Sequence, residues 1–276
     1  VVTVIPYFKR FINKIPNLKK LSIIENKELI KLWEGLGYYS RVRNLKKTAK
    51  IIISKYRGKI PNNYQDLISL PGIGNYTANA ILAIAFNKYY IPMDGNIERV
   101  LKRYLYLKKN KEIQKDNLIQ KKTIFGISSR ASDYAQSLME LGAIICKPKN
   151  PECGECPISD NCQSYKRKDF ELSKIVKKKK EKYFILQVYK KNQKYLLVKN
   201  TKFNFLKNLS IFPMEELSKP KNFNENLNFK MSNMNMSIRI QYLKKIKSFP
   251  SSYWFDKRKL DNYMLPTFTK KVVKYL

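Results

Sequence analysis

Leu70-Pro71-Gly72-Ile73-Gly74-Asn75-Tyr76-Thr77-Ala78 lies between two stretches of helical periodicity. Pro71 stops the helix before it, because the residue preceding a proline is pushed out of the helical region. Gly72 and Gly74 can take positive φ and bring bare backbone N–H groups to the surface. At a helix N-terminus such groups favour a phosphate. The segment predicts a hairpin between helices, with Gly72, Ile73 and Gly74 holding one backbone phosphate. An ordinary tight helix–helix turn is the competing reading, since G-x-G alone is a weak signal. Ala78, Ala80 and Ala83 downstream allow close helix packing and favour the hairpin.

Outward from the hairpin comes Ile91-Pro92-Met93-Asp94-Gly95-Asn96-Ile97. Asp94 stands just before a helical pattern that runs through Val100 and Leu101. It reads either as a helix N-cap, which Asp fills well, or as a working carboxylate framed by Pro, Gly and Asn.

Further on, Cys146, Cys153, Cys156 and Cys162 form a C-x6-C-x2-C-x5-C pattern. Four thiolates so close in sequence can surround one centre, either an iron–sulfur cluster or zinc. All-thiolate zinc sites usually come as two C-x2-C knuckles, and only one is present, so the spacing favours a [4Fe–4S] cluster.

The wider chain supports a polyanion partner. Its 276 residues contain 56 Lys plus Arg against 21 Asp plus Glu, a formal net charge of +35. Nucleic acid is the first expectation from that balance and an anionic membrane surface the second. The Lys-, Asn-, Ile- and Tyr-rich composition of an AT-rich genome accounts for part of it. There is no histidine, which excludes His-based triads, His-ligated zinc and His general bases. A hydrophobic fraction of 43% excludes a disordered chain. No stretch approaches the ~20 apolar residues that span a bilayer, and no signal peptide opens the chain.

Residues 1–164 read as a compact all-α domain and 165–182 as a Lys-rich linker. In 183–276 the period changes to two, giving a small α+β domain. Its first strand is expected at Tyr183–Tyr189, turning at Lys191-Asn192-Gln193 into a hairpin partner at Lys194–Val198. Further strands are expected at Ser237–Leu243 and near Lys247–Ser251, and a short helix at Thr267–Leu276.

Taken together, the Leu-Pro-Gly-Ile-Gly segment, Asp94-Gly95-Asn96 and the four cysteines resemble the helix–hairpin–helix DNA glycosylases with an iron–sulfur loop. Two branches compete, the endonuclease III type and the adenine-excising MutY type. Endonuclease III carries a nucleophilic lysine at the position of Tyr76, and the MutY type carries tyrosine. Trp33-Glu34-Gly35-Leu36-Gly37-Tyr38-Tyr39-Ser40-Arg41-Val42-Arg43-Asn44-Leu45 is similar to a MutY segment, as are Val4-Ile5-Pro6-Tyr7-Phe8 and Met139-Glu140-Leu141-Gly142-Ala143. A non-catalytic iron–sulfur DNA-binding protein is the reading of a different class.

The resemblance implies base-excision removal of adenine opposite 8-oxoguanine or guanine, by hydrolysis of the N-glycosidic bond in flipped-out DNA. It implies that Asp94 stabilises the sugar cation with Tyr76 beside it, and that Leu36 and Tyr38 wedge into the base stack. It implies that Cys146, Cys153, Cys156 and Cys162 hold [4Fe–4S], in a monomeric, cytoplasmic, nucleoid-associated protein of bacterial type. The family's general-acid glutamate falls upstream of Val1, so the chain as printed is expected to be inactive and N-terminally truncated. The resemblance further implies a Nudix-like C-terminal domain that reads 8-oxoguanine. Phe205-Leu206-Lys207-Asn208-Leu209-Ser210-Ile211-Phe212-Pro213-Met214 is similar to a degraded form of its Leu-x-x-x-Trp-x-Phe-Pro segment, and Leu265-Pro266-Thr267 to its closing Leu-Pro motif. No Nudix-box run of glutamates is present, which argues against diphosphate hydrolysis. Met231-Ser232-Asn233 stands where the family has Phe-Ser-His, leaving Ser232 as the candidate lesion contact.

Overall fold

The computed structural model describes residues 4–107, 129–171, 179–218, 220, 222–231, 234–263 and 265–276. Internal contacts divide the chain into two units. The first comprises Val1–Pro16, Ile24–Arg43 and Val176–Leu276, the second Asn17–Ile23 and Asn44–Ile175. This differs from the division read from sequence, because two N-terminal segments group with the C-terminal part.

Helices dominate up to Lys166: α1 (Ile5–Lys14), α2 (Leu18–Ile23), α3 (Asn26–Leu32), α4 (Tyr39–Lys55), α5 (Tyr64–Ser69), α6 (Asn75–Ala80), α7 (Gly95–Tyr104), α8 (Ala131–Glu140) and α9 (Gln163–Lys166). Helix α6 runs into a π turn at Ile81–Ala85, and α8 into one at Leu141–Ile145. Such widened turns are uncommon and recur near functional sites. Helix α7 shows why these residues fold as they do. Asp94 caps it, Glu98 lies in its first turn and Lys102 and Arg103 in its last, an order that complements the helix dipole. Ile97, Val100 and Leu101 recur at helical spacing and are buried. The second unit packs around Ile52, Leu67, Leu70, Ala78 and Leu82, and around Ile91, Met93, Ile97, Leu101 and Leu138.

The C-terminal part of the first unit is built on two four-stranded sheets. One has the order β5 (Met214–Leu217), β1 (Lys180–Val188), β7 (Met234–Tyr242), β6 (Leu227–Met231). In it β1 and β7 run parallel from Lys180↔Met234 to Val188↔Tyr242. The other joins β2 (Lys190–Lys191), β3 (Lys194–Lys199) and β4 (Ser210–Ile211), with β8 (Ser252–Asp256) also paired to β3. Helix α10 (Thr267–Tyr275) buries Phe268, Thr269, Val272 and Val273. These pack into the core with Phe184, Leu186, Leu197, Phe212 and Ile238.

Three local expectations are corrected. Tyr183–Tyr189 does not form a hairpin with Lys194–Val198. Strand β1 pairs with β5 and β7, and it is β2 that turns back onto β3, joined by the Tyr189 carbonyl, which accepts from Leu196 N–H at 3.1 Å. Phe184, Leu186, Gln187 and Val188 are all buried, as in a strand covered on both faces within a parallel pair. Its apolar run therefore does not reveal which sheet it joins. The last strand lies at 252–256 rather than 247–251. Pro250 has no N–H to give a ladder, and Ser251 takes a positive φ of 55°. The Lys-rich stretch read as a linker is helical at its start, in α9, and its last three residues open β1. Residues 172–178 lie outside the described residues.

Candidate functional site

In the second unit the hairpin is braced from α4. Thr48 Oγ1 donates to the Pro71 carbonyl at 2.8 Å, and the Ile73 N–H closes the turn on the Leu70 carbonyl at 3.2 Å. Gly72 has φ +82°, and a Cβ there would lie 2.7 Å from Asn44 Cβ. Backbone conformation and close approach both require glycine. Gly72 and Gly74 are exposed, while Ile73 packs against the core. The N–H groups at the start of α6 are thus presented outward on a fixed turn.

Asp94 is half-buried and caps α7. Its Oδ1 accepts from the N–H groups of Asn96 at 2.9 Å and Ile97 at 2.8 Å. Oδ2 takes a longer 3.3 Å bond from Asn96 Nδ2. The cap therefore occupies one oxygen and leaves the other weakly engaged. Tyr76 at the start of α6 is 44% exposed. Partial burial first, and the charge of Asp94 second, push its phenol above the ordinary value. Tyr76 thus lies near enough to Asp94 to feel its charge.

All four cysteines, together with Arg103, Leu141 and Tyr165, line one small pocket. Four thiols facing one pocket are the donor set of an iron–sulfur cluster. Burial first and the neighbouring thiols next push the Cys153 thiol up, and burial also raises that of Cys156.

Two arginines of α7 hold this loop, and the sequence reading missed both. Arg99 Nε donates to the Cys146 carbonyl at 2.7 Å, and Nη2 donates to Asn96 Oδ1 at 2.9 Å and to the Gly142 carbonyl. Arg103, only 4% exposed, donates to the carbonyls of Lys147 (2.6 Å), Pro148 (3.0 Å) and Phe170 (3.1 Å). The one available signal was two arginines four apart, on the side of the helix that carries Gly95 and Asn96.

The remaining candidates belong to the first unit. Leu36 is half-buried. Tyr38 is 59% exposed with φ +46°, and the Arg41 guanidinium lies over its ring at 4.6 Å. Tyr38 lines an open cleft of about 460 Å³ with Ser40, Arg43, Phe205, Lys207, Met231 and Met234. Ser232 lies outside the described residues, between Met231 and Met234.

Residues 1–123 match the model of the HhH-GPD superfamily of base excision DNA repair proteins, and residues 146–162 that of the iron–sulfur binding domain of endonuclease III. The chain is 39% identical over 219 residues to adenine DNA glycosylase of Buchnera aphidicola from Schizaphis graminum, which covers 77% of this chain and 63% of that protein. With the enzyme of the Baizongia pistaciae strain the identity is 42%, covering 77% and 62%. With the human adenine DNA glycosylase it is 35%, covering 62% and 32%. The chain thus spans about three-fifths, or less, of these relatives' lengths. Among solved structures, a thermostable thymine-DNA glycosylase superimposes with a TM-score of 0.51 at 29% identity, covering 59% of this chain and 76% of that one. Endonuclease III in a non-covalent DNA complex gives 0.51 at 27%, covering 60% and 78%. The hairpin and the Asp94 loop fall within the region matched by the HhH-GPD model and the four cysteines within that matched by the iron–sulfur domain model, and the helical part of the chain has the fold of the HhH-GPD glycosylases.

Proposed function

We propose that this chain carries the adenine-excising machinery of a base-excision DNA glycosylase acting on adenine opposite 8-oxoguanine or guanine, as a monomer on double-stranded DNA. The observation that carries the reading is the Asp94 carboxylate, held by its cap bonds with Oδ2 only weakly engaged, and Tyr76 near enough to feel its charge. N-glycosidic cleavage builds positive charge on the sugar while the base leaves. A fixed carboxylate stabilises that charge. The cap bonds hold Asp94 in one rotamer and leave Oδ2 for the sugar. Tyr76 cannot act as an amine nucleophile, so water completes the reaction and the backbone stays intact. The Gly72–Ile73–Gly74 N–H groups hold a phosphate near the flipped nucleotide. Cys146, Cys153, Cys156 and Cys162 would hold the [4Fe–4S] cluster, whose contribution is to shape the basic loop containing Lys147 and Lys149. The relatives named adenine DNA glycosylase support this choice over a pyrimidine-specific one.

The C-terminal part is read as a Nudix-like lesion-recognition domain. Its mixed sheet with a parallel β1–β7 pair, second sheet and closing helix support that. The cleft beside Tyr38 has room for a nucleobase, and along the sequence Ser232 stands between the cleft-lining Met231 and Met234. Tyr38 and Leu36 are then the residues that enter the stack.

The test is single-turnover excision by the full-length protein on four duplexes: adenine opposite 8-oxoguanine, opposite guanine, opposite thymine, and an oxidised pyrimidine opposite adenine. Adenine release from the first two alone is expected. Release of the pyrimidine without adenine would overturn the reading.

A further inference from the structure

Within the first unit, the turn from Trp33 to Arg43 is held at three points. Trp33 Nε1 donates to the Gly37 carbonyl at 2.9 Å. This closes a turn in which Gly35, Gly37 and Tyr38 all take positive φ. Arg43 Nη1 donates to the Lys207 carbonyl at 3.0 Å. Glu34 Oε1 meets Lys270 Nζ of α10 at 2.7 Å. That oxygen is buried and accepts no aligned hydrogen bond, so the Lys270 charge is what compensates it. Both side chains are under one-third exposed, at 30% and 27%, against 58% and 43% in the ion pair Lys14–Glu28. A shielded pair of this kind resists being broken, because loss of one partner leaves the other charge unmatched. The pair also has a direction. Lys270 follows Thr267 and Phe268, which line the cleft, and Glu34 precedes Tyr38, which lines it from the other side.

We propose that the Glu34–Lys270 ion pair sets base-opposite specificity by fixing the turn that carries Tyr38 to helix α10, so that the exposed ring meets the cleft in one geometry. Glu34 and Lys270 are positioning residues: they act through Tyr38 and do not contact DNA. The inference rests on the reading of the cleft as the lesion site.

The test is equilibrium binding of the cluster-loaded protein to two duplexes, one with adenine opposite 8-oxoguanine and one with adenine opposite thymine. 2-Aminopurine placed beside 8-oxoguanine reports unstacking. Lys270→Met is expected to lower the affinity ratio about tenfold and to abolish the 2-aminopurine rise. Binding to the undamaged duplex, governed by phosphate contacts, should change less than about twofold. Lys270→Arg should keep both signals, and the charge swap Glu34→Lys with Lys270→Glu should restore them. An unchanged ratio and fluorescence in Lys270→Met overturns the proposal, as does a swapped protein of wild-type melting temperature that fails to recover. If the swapped protein does not fold, Lys270→Arg decides: retention supports the pair and loss overturns it. A wild-type protein with no preference for 8-oxoguanine, or an unaltered preference in Tyr38→Ala, is instead a failure of the cleft reading, and the proposal falls with it.

Discussion

Arg99 Nε donates to the carbonyl of Cys146 at 2.7 Å, so the helix that begins at Asp94 is tied directly to the first cysteine of the iron–sulfur loop. The same guanidinium bonds Asn96 Oδ1, and Asn96 gives its own N–H to Asp94 Oδ1. Arg99→Met keeps the length of the side chain and removes these bonds. Each bond to a charged group is worth about 1.5–3 kcal/mol. The variant should lose about 2–4 °C or more in melting temperature for a chain of this size. It should also release iron faster under chelation. Unchanged iron retention would show that the loop is held without Arg99.

Anaerobically purified protein should be brown and contain iron rather than zinc. Cys153→Ser or Cys156→Ser should lose the colour and weaken DNA binding together, since the cluster shapes the segment with Lys147 and Lys149. Metal analysis showing zinc and no iron would sink the assignment.

Gly72→Ala should disturb the hairpin twice over. A Cβ would press on Asn44 Cβ at 2.7 Å, and alanine is strained at φ +82°. A strained backbone position costs about 1–3 kcal/mol. Because phosphate contacts release counterions, wild-type affinity should fall steeply with added salt. The variant should bind more weakly with a shallower salt slope. An unaltered slope would remove the hairpin from the DNA-binding surface.

What could be read in the sequence was what lies close along it. Gly72 to Tyr76, Asp94 to Ile97 and Cys146 to Cys162 are local patterns, and each folds as a turn, a cap or a loop whose chemistry follows from spacing. What could not be read depends on distant partners. Arg99 and Arg103 look like ordinary helix residues until the loop that begins 43 positions beyond Arg103 folds onto them. Glu34 meets Lys270 from the other end of the chain. Strand β1 has the same apolar run whether it pairs with β3 or with β7, and only the tertiary structure decides. The Asp94 cap shows a third situation: the two readings offered by the sequence are compatible, because one carboxylate oxygen does the capping and the other is left over.

That compatibility makes Asp94→Asn the sharpest experiment, measured in the full-length protein. Asn caps a helix about as well as Asp, and its side-chain oxygen can accept the same two N–H bonds at Asn96 and Ile97. If capping is all that Asp94 does, melting temperature and excision should both stay near wild type, with a difference of a few tenths of a kcal/mol at most. If Oδ2 supports the sugar cation, the substitution removes the charge that matters. Loss of one such stabiliser costs about 10²–10³ in rate, roughly 3–4 kcal/mol. The ground state carries no sugar cation, so affinity for the duplex should hardly change. Single-turnover adenine release should therefore fall by two to three orders of magnitude, about 10²–10³, while stability and binding stay put. An Asp94→Asn protein that releases adenine at the wild-type rate would leave Asp94 as a cap alone and take the central residue out of the mechanism.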